Sequence, residues 1–323
     1  QTAATAEADA KPFPLHSAGR ETRRRAERTG DRLTFVDFVT GGGCPRFSVM
    51  TTIRCGKYRL RRERPLLMGI VNLTPDSFSG DGLLNDVARA VDHARQQFEA
   101  GADILDLGAE SSRPGAQPTP EDEELRRLLP VLREVVAWGV PISVDTYKPA
   151  VMRAALDAGA DMINDIAGLA SGEALAAVAD SECAVCVMHM RGDPGSMQRA
   201  PIYGDVVAEV SGCLAAAAGR CVAAGIDRQR IVLDPGFGFG KTLEHNLALF
   251  RALNGNFWND FPLLVGVSRK SMLGEITGRP VGERQAASVA AALLAAQRGA
   301  AIIRVHDVAA TRDALAVWSA VER

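Results

Sequence analysis

The chain has 323 residues, 47% of them hydrophobic and 24% charged, with a formal net charge of −2. That length accommodates two domains or one large parallel α/β barrel, and no apolar run approaches the roughly 18 residues of a membrane span. Residues 1–64 hold 14 Lys/Arg against 7 Asp/Glu, whereas the other 259 hold 23 against 32, and an acidic body of this kind excludes general nucleic-acid binding.

Residues 1–49 show weak periodicity around the cluster Arg23-Arg24-Arg25, and Met50 opens a segment that soon acquires the pattern of a folded domain. Glu7, Asp9, Glu21 and Glu27 depart from the acid-poor composition of a transit peptide, and no apolar core of a secretory signal is present. The expectation is a dispensable, disordered extension over 1–49 and a single folded domain over 50–323.

From residue 66 onward, short apolar runs at 66–71, 104–107, 142–144, 162–163, 184–188, 231–233, 263–267 and 301–305 alternate with amphipathic or alanine-rich stretches. Thr119-Pro120-Glu121 predicts a helix start with a cap, a proline and an early acid. Gly299 predicts the end of the alanine-rich helix before it. A unit recurs as AGADILDLGAE at 100, AGADMINDIAG at 158 and RGAAIIRVHDV at 298: a helix end, a glycine, an alanine and a buried strand. Such recurrence predicts one βα unit repeated around a closed structure. Cys183 and Cys186 form a CxxC inside one of the apolar runs. Positions i and i+3 of a strand face opposite sides, so the two are read as buried small hydrophobes and not as a metal or redox pair. With no disulfide framework, a reducing, cytoplasmic setting is expected.

Runs buried on both faces and joined by helices mean a parallel sheet. Polar groups follow every run: Asn72, Asp106 and Glu110, Asp145, Asn164, His189, Asp234, Ser268 to Lys270, and Arg304 with His306. An open sheet gathers its ligand groups near one switch point, while a (β/α)8 barrel surrounds one mouth with the loops after all eight strands. Polar groups at all eight ends predict a (β/α)8 TIM barrel.

LDPGFGFGKT (233–242) imitates a nucleotide phosphate loop, but that pattern needs glycine where this chain has Pro235. A proline there offers no N–H to a phosphate. What remains is a strand ending in Asp234 beneath a glycine-rich turn. Arg304 and His306, two apart on a strand, point the same way and suit an oxyanion or phosphate. His189 is read as a satisfied core residue.

In order, the strand ends read GIVNLTPDSFSGDG, LGAESSRPGA, ISVDTYKP, INDIAG, VMHMRG, LDPGFGFGK, VGVSRKSML and IRVHDV. This ordered series, from about residue 66 to the end, closely resembles the bacterial dihydropteroate synthase family of pterin-binding barrels. The resemblance implies condensation of 6-hydroxymethyl-7,8-dihydropterin diphosphate with p-aminobenzoate, giving 7,8-dihydropteroate and diphosphate for folate synthesis, with sulfonamides as competitors. It implies that Asp234 accepts the pterin's paired N–H donors, Lys270 donates to the ring carbonyl, Asn164 adds edge contacts and Met188 packs on the ring. Asp145 faces the dihydropyrazine side. Arg304, His306 and Arg113 hold the diphosphate, and Asn72 offers a weak ligand to a Mg²⁺ carried mostly on diphosphate oxygens. Ser271, at a helix start, takes the p-aminobenzoate carboxylate, with Phe239 and Pro114 walling the aryl ring; Phe239 and Lys241 are expected over the pterin. Asp145, Arg304, His306 and Arg113 form the implied catalytic set, and a homodimer is implied as well.

Two positions depart from the family pattern. Ser112 stands where threonine is usual, which keeps a hydroxyl but loses a methyl beside the sulfonamide. The first loop reads Ser79-Gly80-Asp81-Gly82, shifting an acid by one residue. The rival readings are a pterin-binding methyltransferase barrel, which has no need of Ser268-Arg269-Lys270-Ser271, and a catalytically silent pterin binder, whose Arg304–His306 clamp would be eroded.

Overall fold

The computed structural model describes residues 52–74, 82–111, 117–193, 195–198, 201–255, 258 and 261–322. The extension 1–49, the first-loop departure at 79–81 and the residues Ser112, Arg113 and Pro114 lie outside these.

Two short strands come first, β1 (Thr52–Cys55) and β2 (Tyr58–Arg61), paired antiparallel. The repeating unit then runs β3 (Leu66–Asn72), α1 (Gly82–Glu99), β4 (Ile104–Gly108), α2 (Glu121–Val135), β5 (Ile142–Asp145), α3 (Pro149–Asp157), β6 (Met162–Asp165), α4 (Gly172–Ala179), β7 (Ala184–Met188) and α5 (Val206–Ala223). It continues through β8 (Ile231–Asp234), α6 (Leu243–Arg251), β9 (Leu264–Val265), α7 (Ser271–Thr277), α8 (Gln285–Gln297), β10 (Ile302–Val305) and α9 (Val308–Val321). Strands β3 to β10 form one parallel sheet in the order β8-β7-β6-β5-β4-β3-β10-β9. A parallel bridge between Leu233 and Leu263 joins its two ends, with the Leu233 N–H donating to the Pro262 carbonyl at 3.0 Å. The sheet is a closed (β/α)8 barrel, as the strand-end polarity predicts.

Alternation along each strand divides the side chains. Leu67, Leu105, Val144, Ile163, Val185, Leu233, Val265 and Ile303 face outward into the layer shared with the helices. Leu66, Met68, Ile104, Met162, Cys186, Val232, Leu264 and Ile302 fill the barrel's interior. Cys183 belongs to the outer cluster and Cys186 to the inner one, so the CxxC is split across the sheet as expected.

The recurring helix–glycine–strand unit has one geometry. Gly101, Gly159 and Gly299 have φ of 94°, 100° and 85°, a left-handed conformation that favours glycine. The next N–H in each case reaches five residues back, Ala102 to Gln97, Ala160 to Ala155 and Ala300 to Ala295, which closes each helix with a Schellman turn. The same turn recurs at Gly225 and Ile226, where the sequence pattern is harder to see.

Two expectations need correction, and one element is new. Pro120, not Thr119, occupies the N-cap of α2 and no side chain caps it; the Thr119 N–H is instead taken by Glu110 Oε1 at 3.1 Å. Among the described residues, α5 is long and apolar enough to cross a membrane by length and composition, where no such run was expected. Its alanine-rich sequence lies on the barrel through Val206, Val210, Leu214, Ala217, Ala218 and Cys221. The β1–β2 hairpin was not anticipated at all. Its Ile53 and Cys55, 1% and 0% exposed, join the interior cluster at the N-terminal ends of the strands and close the barrel's floor. Buried Asp161 staples it there: Oδ2 accepts the Ile142 N–H at 3.1 Å, Lys57 Nζ lies 3.7 Å from Oδ1, and Cys55 Sγ donates to the Asp161 carbonyl.

Candidate active site

The phase that sends Met68, Ile104 and Met162 into the barrel also sends Asp106, Asp145, Asn164, Met188, Asp234 and Arg304 inward at the C-terminal ends of the strands. Cross-strand register sets them side by side: Asp106 is paired with Ser143, Asp145 with Gly108 and Asn164, and Met188 with Asp234. Arg304, on β10, reaches across this layer. Its Nε donates to Asp106 Oδ2 at 2.6 Å and its Nη2 to Asp145 Oδ2 at 2.9 Å. Burial works against the Arg304 charge, but the two carboxylates more than offset that and hold it protonated. Burial pushes the Asp145 carboxyl up, Arg304 pulls it back, and Asp106 adds to the rise. Asp106 is fully buried, and its Oδ1 and the neighbouring Ser143 Oγ have no hydrogen-bond partner among the described residues. Buried polar atoms without partners are costly, and these two lie side by side at the C-terminal end of the barrel.

The second cluster is Asp234 with Lys270. Asp234 is 6% exposed and its Oδ1 accepts the Gly236 N–H at 2.7 Å. Burial raises its pKa and Lys270 opposes the rise. Burial draws Lys270 down to about 8, with Asp234 pulling the other way. Lys270 Nζ donates to the Phe237 carbonyl at 2.5 Å and lies 4.7 Å from the Phe239 ring centroid.

Local backbone explains how Lys270 arrives there. Arg269 has φ of 59°, a left-handed conformation uncommon outside glycine and often kept at functional sites. It is held by two bonds to Asp307 at 3.1 and 2.7 Å and by its N–H to Ser288 Oγ at 2.9 Å. The turn directs Lys270 to the mouth and starts α7 at Ser271, which is exposed at the first helical position. His306 Nδ1 lies 3.0 Å from Ser268 Oγ, tying β10 to the same segment. Asn72 ends β3 half-buried, paired with Gly108.

The structure thus gathers Asp145, Asn164, Met188, Asp234, Phe239, Lys270, Arg304 and His306 from the predicted set around one mouth, with Asn72 and Ser271 at strand and helix ends beside it. Arg304 is committed to two carboxylates and not to His306, because the strands opposite it supply them. Lys241 turns away from the mouth: it is 3% exposed, its ammonium is enclosed by backbone carbonyls, and burial draws it down to about 7. His189 is the neutral core residue expected, held down to about 3 by burial and by Lys241.

Asp106 was not assigned to the site from the sequence, although an acid in the inward phase of ILDLG was the available signal. Also unforeseen is the Glu110–Lys148–Glu124 cluster behind the mouth. Lys148 Nζ donates to Glu110 and, at 2.6 Å, to Glu124, and the Tyr147 hydroxyl donates to Glu110 at 3.0 Å. These groups lie far apart in sequence, and only the folding of α2 against the β5–α3 turn joins them.

A closed parallel barrel with carboxylates and cations interleaved at its C-terminal mouth is the architecture of a (β/α)8-barrel enzyme. Residues 68–306 match the family of pterin-binding enzymes. A dihydropteroate synthase of Neisseria meningitidis serogroup C is 51% identical over 273 residues, covering 83% of this chain and 96% of the relative. The crystal structure of the Burkholderia cenocepacia dihydropteroate synthase complexed with 7,8-dihydropteroate aligns with TM-score 0.77 and 51% identity over 84% of this chain and 96% of that one. The Yersinia pestis dihydropteroate synthase with a sulfonamide drug complex aligns with TM-score 0.80 and 44% identity over 84% and 99%. The chain belongs to the pterin-binding enzymes and, within them, to the dihydropteroate synthase family.

Proposed function

We propose that this chain joins 6-hydroxymethyl-7,8-dihydropterin diphosphate to p-aminobenzoate, releasing diphosphate and 7,8-dihydropteroate. The observation that carries this reading is the buried Asp234–Lys270 pair beside the Asp106–Arg304–Asp145 bridge. A pterin's amino-pyrimidinone edge presents adjacent N–H donors and a carbonyl, and a buried carboxylate with a nearby ammonium complements both. Asn164 contributes to that edge and Met188 packs on the ring.

The reaction proceeds by ionisation. The C–O bond to diphosphate breaks first, because the electron-rich dihydropterin delocalises the methylene cation. Asp145, oriented by Arg304, faces the developing positive charge, while Arg304, His306 and Arg113 take the leaving anion. The neutral aryl amine then attacks and loses its proton, so no strong protein base is required. Ser271 and the first N–H groups of α7 receive the p-aminobenzoate carboxylate, with Phe239 against its ring, and Ser112 and Arg113 complete the pocket; sulfonamides compete there.

The donor set fits magnesium as a passenger of the diphosphate. Asn72 offers one hard neutral oxygen, and among the described residues no cluster of three His, Cys, Asp or Glu side chains could hold an ion alone. When bound, the ion would screen diphosphate charge. The same reading takes the enzyme as cytoplasmic, on its cysteine usage, and as a homodimer, on the family resemblance, with residues 50–323 as its working domain.

The test is release of diphosphate from the two substrates together. Folded protein that binds the pterin and releases none is a silent binder, and methyl transfer from a methylated folate to a corrinoid protein favours the rival barrel.

A further inference from the structure

Lys241 of the GFGK turn remains unexplained by the proposed chemistry, and its surroundings are unusually specific. Its ammonium lies 2.9 Å from the Gly236 carbonyl, 3.0 Å from that of Phe239 and 3.2 Å from that of His189, and 3.0 Å from His189 Nδ1. The turn is wrapped closely around it. A Cβ on Gly236 would lie 1.9 Å from the His189 carbonyl, and one on Gly240 2.5 Å from that of Arg191; both glycines have positive φ, 67° and 61°. Asn246 Oδ1 accepts the Gly238 N–H at 2.8 Å and the Tyr203 hydroxyl donates to Gly240 at 2.9 Å. Three N–H donors thus face three carbonyls and a ring nitrogen, and an isolated buried ammonium is unfavourable without such partners.

The same turn touches both groups of the pterin edge. Its Gly236 N–H binds Asp234 Oδ1 and its Phe237 carbonyl binds Lys270 Nζ. We propose that Lys241 is a positioning residue: by gathering the Gly236, Phe239 and His189 carbonyls around one cation, it fixes the turn that sets Asp234 and Lys270 at the spacing of the ligand edge. The glycines resemble a phosphate loop because the backbone does enclose a charged group. Here the group is the protein's own lysine and the backbone presents carbonyls. This inference rests on the assignment of Asp234 and Lys270 to the pterin.

Titration calorimetry with the pterin diphosphate, alongside thermal melting, tests it on the full chain. Lys241→Met keeps the length and removes the charge, and should weaken pterin binding by roughly tenfold or more per folded molecule, the scale of a lost charge-assisted bond. His189→Leu should weaken it in the same direction. His189→Asn, whose amide oxygen can replace Nδ1 as acceptor, should restore affinity, which a purely structural contribution to melting would not do. If Lys241→Met does not fold, the contrast between the two His189 variants decides the matter. Native affinity in folded Lys241→Met, or equal affinities in the two His189 variants, overturns the inference. Asp234→Asn serves as the control: if it too retains native affinity, the site assignment beneath the inference is what has failed.

Discussion

Asp234→Asn separates binding from stability. The amide keeps an oxygen for the Gly236 N–H that Oδ1 now accepts at 2.7 Å, so the turn need not move. The other position becomes an NH2 group, which opposes the pterin's own donors and no longer offsets the nearby Lys270 charge. Loss of a buried charge-assisted pair is worth about 2–4 kcal/mol, or roughly 30- to 1,000-fold in affinity. Stability should move the other way or stay level. Burial raises the folded-state pKa of Asp234 above its ordinary value, so ionising it at neutral pH opposes folding, and a neutral side chain removes that cost. The variant should therefore melt at or above the wild-type temperature while binding pterin diphosphate far more weakly by calorimetry. Native affinity, or a loss of affinity matched by a collapse in melting temperature, refutes the argument.

Three further outcomes follow. Lys270 must be charged to donate strongly to a ring carbonyl and titrates at about 8, so kcat/KM for the pterin should fall as pH rises through about 8; a flat profile to pH 10 contradicts this role. His189 is neutral in the fold at about 3 but has an ordinary value of 6.5. Its contribution to stability is therefore complete above pH 6.5 and is lost as pH falls toward 3, and His189→Asn should flatten that part of the acid-melting curve. A chain starting at Met50 should keep its activity and melting temperature, whereas Ile53→Ala in the floor hairpin should cost about 2–4 kcal/mol in denaturant unfolding; truncation at Met50 that costs several degrees, or a silent Ile53→Ala, reverses the boundary drawn between extension and domain.

The barrel was legible because each strand is buried on both faces and ends in a polar group, so eight repetitions of one local signal reinforce each other. The floor hairpin was not, because its two four-residue strands sit in an arginine-rich stretch where only Ile53, Cys55 and Leu60 carry the pattern. Those residues become core only when eight distant strands supply the surface beneath them. The inward phase of Asn164 and Asp234 at their strand ends was readable, whereas their expected pterin contacts, like that of Lys270 in the turn before α7, came only from the family resemblance. Arg304 shows where that reasoning stops: its inward phase was readable, but its bonds to Asp106 and Asp145 span 198 and 159 residues and depend on barrel closure. Lys241 was misplaced for a related reason. A lysine after alternating glycines suggests a ligand, and only the turn's curl, which presents the Gly236 and Phe239 carbonyls, and the approach of His189 after β7 show what encloses it.

The charge inventory of the mouth bears on the chemistry. Asp106, Asp145 and Asp234 face Arg304 and Lys270, so carboxyl groups outnumber cationic side chains in this layer by one. Burial pushes Asp145 and Asp234 upward, so the carboxylate form of either is costly here and positive charge arriving nearby favours it. A neutral pterin relieves little of that. On the proposed ionising route, a pterin whose methylene is becoming positive would relieve more, which would match the site better to that transition state than to the bound substrate. On the proposed reading the diphosphate lies toward Arg304, His306 and Arg113, with Arg304 shared between that anion and the two carboxylates it binds. Asp145→Asn removes one of the two carboxylates bonded to Arg304 and should accordingly lower kcat much more than pterin affinity. Equal losses in both would show that Asp145 merely binds the ring and that its carboxylate plays no part in the ionisation.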